Sequence, residues 1–116
     1  MEEDEPSDKM AKVITQEIGT VIQEEPSLER VDDTYTINSD ALQLSFVVHV
    51  DDKEFEIRDI ERRKPGIGAA VVRAIHDFCD ERDMKVVASN VSDTTEGFWR
   101  KMGYQEGSNG TFFRAE

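Results

Sequence analysis

Every second residue from Leu42 to Val50 is apolar (Leu42, Leu44, Phe46, Val48 and Val50), a period of two that gathers them on one face of a β-strand. Ile67, Ala70, Val71, Ala74, Ile75, Phe78 and Cys79 recur instead at the spacing of one helix face. A chain with both periods buries its apolar surface by laying an amphipathic helix on a sheet. The period changes across Arg63-Lys64-Pro65-Gly66-Ile67-Gly68, so this segment joins a strand to a helix.

Ser7 or Asp8 is a candidate cap for a first helix with the stripe Met10, Val13, Ile14, Ile18, Val21 and Ile22, stopped by Pro26. Arg30 to Ile37 reads as one strand before the turn Asn38-Ser39-Asp40. Asp51-Asp52-Lys53 then turns the alternating strand into another that carries Phe55 and Ile57. Ile60 is out of phase with those two, and burying it requires a bulge near Arg58 and Asp59. Lys85 to Val91 is the next strand. Asp93, Thr94 or Thr95 caps a short helix bearing Phe98, Trp99 and Met102, with Gly103 as its stop. Tyr104 enters a strand that the turn Ser108-Asn109-Gly110 returns through Thr111 to Arg114.

A chain of 116 residues builds one hydrophobic core and not two. Residues 1–7 read as a disordered acidic lead and 8–116 as a single domain. No apolar run approaches the ~18 residues of a membrane span, and the acidic start is unlike a secretory leader, so a cytoplasmic protein with no membrane partner is expected. Cys79, the single cysteine, is expected in the core, and no His or Cys pair has metal-ligand spacing. Twenty-six Asp and Glu against 14 Lys and Arg give a net charge of −12, which repels phosphate backbones and disfavours nucleic acid as a partner. Acidic residues fill every segment while lysines number six, a pattern that fits a halophilic host better than one acidic face for a cationic substrate.

Arg62, Arg63 and Lys64 form the densest basic cluster in this acidic chain, and they precede two glycines that open a helix. Glycines let the backbone approach a ligand closely, and the unpaired N–H groups of a first helical turn favour an anion. The loop therefore reads as a phosphate holder. It lacks the Gly-Lys-Ser/Thr ending of a P-loop, and no Ser-His-Asp arrangement with a nucleophile elbow is present.

Arg63, Gly66 and Gly68 match the signature of the GNAT superfamily of acyl-CoA-dependent N-acyltransferases: Gln or Arg, two residues, Gly, one residue, then Gly or Ala. Phe98-Trp99-Arg100-Lys101-Met102-Gly103-Tyr104 resembles the family's second block, an aromatic pair ending a helix followed by a Gly-aromatic step. The two blocks span about Phe55 to Tyr104. The resemblance implies an α/β (α+β) fold in the order α-β-β-β-α-β-α-β-β, with a mixed, mostly antiparallel sheet flanked by helices and a shortened N-terminal half. It implies acetyl-CoA as cofactor, its pyrophosphate on Arg63, Lys64, Gly66, Ile67, Gly68 and Ala69 and its pantetheine beside Lys85 to Val91. It also implies acetyl transfer by direct attack of a primary amine, from a small molecule or a peptide, in a possible homodimer whose second chain replaces the missing N-terminal elements. A non-catalytic acyl-CoA-binding or protein-interaction module with this fold is the alternative.

Several positions depart from the family pattern. Trp99 stands where many relatives have a tyrosine that protonates the leaving thiolate, and an indole N–H is no usable acid near neutral pH. Ser92 stands where many relatives have an asparagine that helps hold the cofactor, so Ser92 and Trp99 complete the cofactor set. Pro65 removes one amide from the loop while stiffening it. Glu56 and Glu54 lie on the strand before the loop, where relatives often keep a catalytic base, and either is the candidate here. His49 could act as a base but reads more simply as a surface histidine; His76 and Tyr104 read as packing.

Overall fold

The computed structural model describes residues 5–108 and 110–114, in the order α1 (Pro6–Ile22), β1 (Ser27–Val31), β2 (Thr34–Asn38), β3 (Leu42–His49), β4 (Glu54–Arg62), α2 (Ile67–Glu81), β5 (Lys85–Ala88), α3 (Asp93–Lys101), β6 (Tyr104–Glu106) and β7 (Phe112–Arg114). The strands form one sheet in the order β1-β2-β3-β4-β5-β7-β6, in which β4 and β5 alone run parallel and every other neighbouring pair is antiparallel. Residues 1–4 of the expected acidic lead, Asn109 of the last turn and residues 115–116 lie outside the described residues.

Four local readings are corrected. The stretch expected as one strand from Arg30 to Ile37 is a hairpin, because Asp32, at φ 55°, takes the left-handed conformation that Asp tolerates and folds Val31 back onto Thr34. This adds a strand to the expected order. The first helix starts at Pro6, which suits a first helical position, so Ser7 and Asp8 sit inside its first turn and do not cap it. Both side chains meet the Tyr35 hydroxyl instead, and Asp8 also receives a hydrogen bond from Arg30. The buried stripe of α1 is Ala11, Ile14, Thr15, Ile18, Gly19 and Ile22, with Met10 and Val13 partly buried against the core, while Val21 is exposed. The third helix is capped by Ser92, whose N–H donates to Thr95 Oγ1 at 3.1 Å.

The expected bulge is present. Opposite β3 the register slips between Ser45↔Asp59 and Phe46↔Ile57, leaving Arg58 as the extra residue, so Ile57 and Ile60 are both buried. Leu42, Leu44, Phe46 and Val48 face the helices with Phe55 and Ile57, and Tyr35, Phe46 and Phe55 stack in a row. Cys79 lies in this core, where burial pushes its thiol up to about 12.

At the far end of the core the Tyr104 hydroxyl meets His76 Nε2 at 2.8 Å, and their rings stack. Burial raises the Tyr104 pKa and, with the nearby Arg114 charge, lowers that of His76 to about 4. The neutral imidazole therefore accepts the phenol proton. The unfolded chain binds a proton on His76 below about 6.5, the folded chain only near 4, so stability is full above that window and falls as pH drops through it. Urea midpoints measured between pH 7 and 4 are expected to fall, with a shallower slope in His76→Gln.

Candidate active site

The parallel strands β4 and β5 pair from Glu54↔Lys85 to Ile57↔Ala88, and Ser89 N–H makes the last bond of the series, to Ile57 O at 2.8 Å. Beyond it the strands part. The Arg58 bulge bends β4, and Asn90, in the left-handed region at φ 55°, turns the other chain away so that Val91 bonds Gly110. The gap is a small crevice of about 40 Å³ with Ile57 and Ile60 on one wall, Ser89 and Ser92 on the other, and Trp99 closing it from α3. Trp99 is buried and fixed by rings on both sides, Phe98 and Tyr104.

The glycine loop lies at the C-terminal end of β4, next to this crevice. Gly66 takes φ 77°, which a side chain would resist, and α2 then starts without a side-chain cap or an acidic residue in its first turn. The Arg63 N–H is spent on Ala41 O, and Ile67 N–H reaches Lys64 O only at 3.5 Å. In front of the first helical turn is an open concavity of about 470 Å³ bounded by Arg62, Arg63, Lys64, Pro65, Gly66, Gly68, Ala69 and Phe98. A Cβ on Gly68 would lie 2.4 Å from Arg62 Cδ and 3.2 Å from Phe98, so any side chain here would displace the Arg62 stem. Adjacent residues of α3 line the two spaces, Phe98 the cradle and Trp99 the crevice.

The three basic residues before the glycines have different surroundings. Arg63 donates to Asn38 Oδ1, Ser39 O and Gln43 Oε1, which ties it to the β2–β3 turn. Lys64 pairs with Glu24 at 2.9 Å. Arg62, which signature matching passes over, lies across Gly68 with its guanidinium 4.5 Å from the centre of the Phe98 ring. The loop joins β4 to α2, and the side chains of Arg63 and Lys64 are turned to partners within the chain.

Glu56 lies one residue before the point where β4 and β5 part, on the sheet face away from Phe46, Phe55 and the helices. Its Oε1 is 2.8 Å from His49 Nε2; its Oε2 accepts from Ser89 Oγ at 2.7 Å and Arg58 Nε at 3.0 Å. Burial alone would raise its pKa, but the hydrogen bonds from His49, Ser89 and Arg58 outweigh this and hold it below 4.5. Glu54 stands opposite His49 in the register and joins none of these bonds. The structure therefore brings His49 to Glu56. Period two could have revealed this, since both residues alternate away from the apolar face on strands joined by a tight turn.

No family model and no curated protein matches the sequence. Among solved structures, nourseothricin acetyltransferase is similar over 71% of this chain at 20% identity and a TM-score of 0.49; the chain spans 62% of the length of that protein. YhhK from E. coli, a provisionally assigned N-acetyl transferase solved with coenzyme A bound, is similar over 87% of this chain and 88% of its own at 11% identity and a TM-score of 0.55. No helix among the described residues is long and apolar enough to cross a membrane. The mixed seven-stranded sheet, its parted parallel pair and the glycine loop beside it belong to a fold that the chain shares with YhhK.

Proposed function

We propose that the protein is an acyltransferase that takes the acetyl group of acetyl-CoA and passes it to a primary amine. The observation that carries this reading is the Gly68 cradle beside the parted ends of β4 and β5. The amides of Gly68 and Ala69, the α2 dipole and Arg62 suit a pyrophosphate, and the Ile57–Ser89 crevice suits the arm that follows it. Acetyl-CoA supplies an activated thioester when bound. The chain supplies position: unpaired strand edges to hold an extended arm, Trp99 to close the crevice against water, and polar groups at its apex. Ser92, spent on capping α3, would contribute from the rim of the crevice.

Calorimetry with acetyl-CoA tests the reading, and an absence of binding at both low and molar salt would end it. Arg62→Ala is expected to weaken binding about tenfold, the loss of one charge-assisted contact worth ~1.4 kcal/mol. Arg63→Ala is expected to leave binding within about twofold, since its charge is already engaged, and to cost the fold about 1 kcal/mol. Equal losses of affinity from the two substitutions would contradict this assignment.

A non-catalytic acyl-CoA-binding module is the second reading, and the replacement of the usual acid by a buried Trp99 favours it. Thiol release in the presence of a panel of primary amines separates the two.

A further inference from the structure

We infer that His49, not Glu56, receives the proton of the acceptor amine, with Glu56 as the group that aims it; the inference rests on the acyltransferase reading above. Glu56 is ionised at neutral pH, and a carboxylate only accepts hydrogen bonds. The short contact between them therefore places the proton of a neutral imidazole on Nε2. Nδ1 is left with its lone pair, and no partner for it occurs among the described residues. The His49 side chain is 33% exposed while that of Glu56 is 16% exposed and already receives three hydrogen bonds. Of the two, the imidazole is the group that an arriving amine can reach.

The placement suits the role. Ser89 both lines the apex of the crevice and donates to Glu56, so the chain Ser89–Glu56–His49 leads from the parted strands onto the sheet face away from the core. An amine on that face would meet Nδ1 while the helices stand behind the opposite face. Arg58 fixes the other side of Glu56 and extends to Thr34 on β2. The charged groups around His49 are Glu54 directly across, Glu56 and Arg58 on the same strand, Lys85 beyond Glu54 on β5, Asp33 near Arg58, and Asp51 in the adjoining turn.

In the step, an ammonium group first gives one proton to Nδ1. The neutral nitrogen then forms its bond to the thioester carbonyl carbon as the carbon–sulfur bond breaks. The second nitrogen proton goes to the leaving thiolate, and His49 returns the first to solvent.

Nitrogen NMR of the free protein, with histidine labelled, reads the tautomer without any cofactor. A proton on Nε2 is expected in the wild type and a mixed population in Glu56→Val; a proton on Nδ1 in the wild type overturns the inference. With spermidine and a lysine-containing tripeptide as acceptors, His49→Gln is expected to lower kcat at least tenfold at unchanged acetyl-CoA affinity. Added imidazole should restore part of the rate in His49→Gly, which a purely structural role would not allow. Wild-type turnover in His49→Gln also overturns it, whereas a failure of acetyl-CoA to bind the wild type condemns the acyltransferase reading instead.

Discussion

Gly68→Val is expected to abolish tight acetyl-CoA binding while the domain stays folded. The new Cβ would sit 2.4 Å from Arg62 Cδ and 2.9 Å from its Cγ, so the arginine stem must leave its place over the loop and lift off Phe98. The valine methyl groups then fill the space in front of the first turn of α2, where a diphosphate needs the Gly68 and Ala69 amides. Losing two charge-assisted hydrogen bonds at ~1.4 kcal/mol each lowers affinity about 100-fold. The fold loses much less. Arg62 is a flexible exposed side chain, its stacking on Phe98 contributes about 0.5–1 kcal/mol, and valine is a slightly better helix residue than glycine. Gly66→Ala is the control for backbone strain: a Cβ there meets nothing within 4 Å, but φ 77° costs about 1–2 kcal/mol. Calorimetry paired with urea unfolding separates the two effects, and unchanged affinity in Gly68→Val would refute the cradle.

Phe46→Ala is expected to have the largest effect on stability. Phe46 is fully buried at the centre of the sheet, 5.4 Å from the Tyr35 ring and 4.8 Å from the Phe55 ring, and Phe55 in turn packs edge-on against Phe78 of α2. Truncation empties a site that β2, β4 and the helices cannot all collapse into, since each is tied by its own hydrogen bonds. The cost is about 3–5 kcal/mol, a large share of the ~5–15 kcal/mol that holds a domain of this size together. The urea midpoint should fall sharply with an unchanged slope. Val31→Ala, on the edge strand with the side chain 70% exposed, should move it by no more than about 0.5 kcal/mol. A loss below about 1 kcal/mol in Phe46→Ala would mean that the aromatic row is not the centre of the core.

Much of this architecture is legible in the chain itself, because period and punctuation are local properties. The alternation from Leu42, the helical spacing from Ile67 and the phase error at Ile60 respectively mark β3, α2 and the bulge before any contact is known. The break within Arg30–Ile37 is harder to read. Asp32-Asp33 has no glycine, and a left-handed aspartate is chosen only when the flanking strands gain from pairing. The same limit applies to the caps of α1 and α3. Several polar residues near each helix start could serve; at α1 Ser7 and Asp8 are drawn to Tyr35, distant in sequence, while at α3 the choice falls to Ser92 through its bonds with Thr94 and Thr95.

By itself the sequence determined the strand and the helix that flank the loop, the glycines at its turn and the burial of Cys79, since each follows from spacing along a few neighbouring residues. Tertiary structure alone decided which charges are available. Arg63 and Lys64 are engaged by Asn38, Gln43 and Glu24, between 20 and 40 residues away, whereas Arg62 is left over the cradle. It also joined Glu56 to His49 and Ser89, seven and 33 residues apart. The reason is physical: a charge acts through whatever lies within a few ångströms, and sheet pairing, not chain order, sets those neighbours.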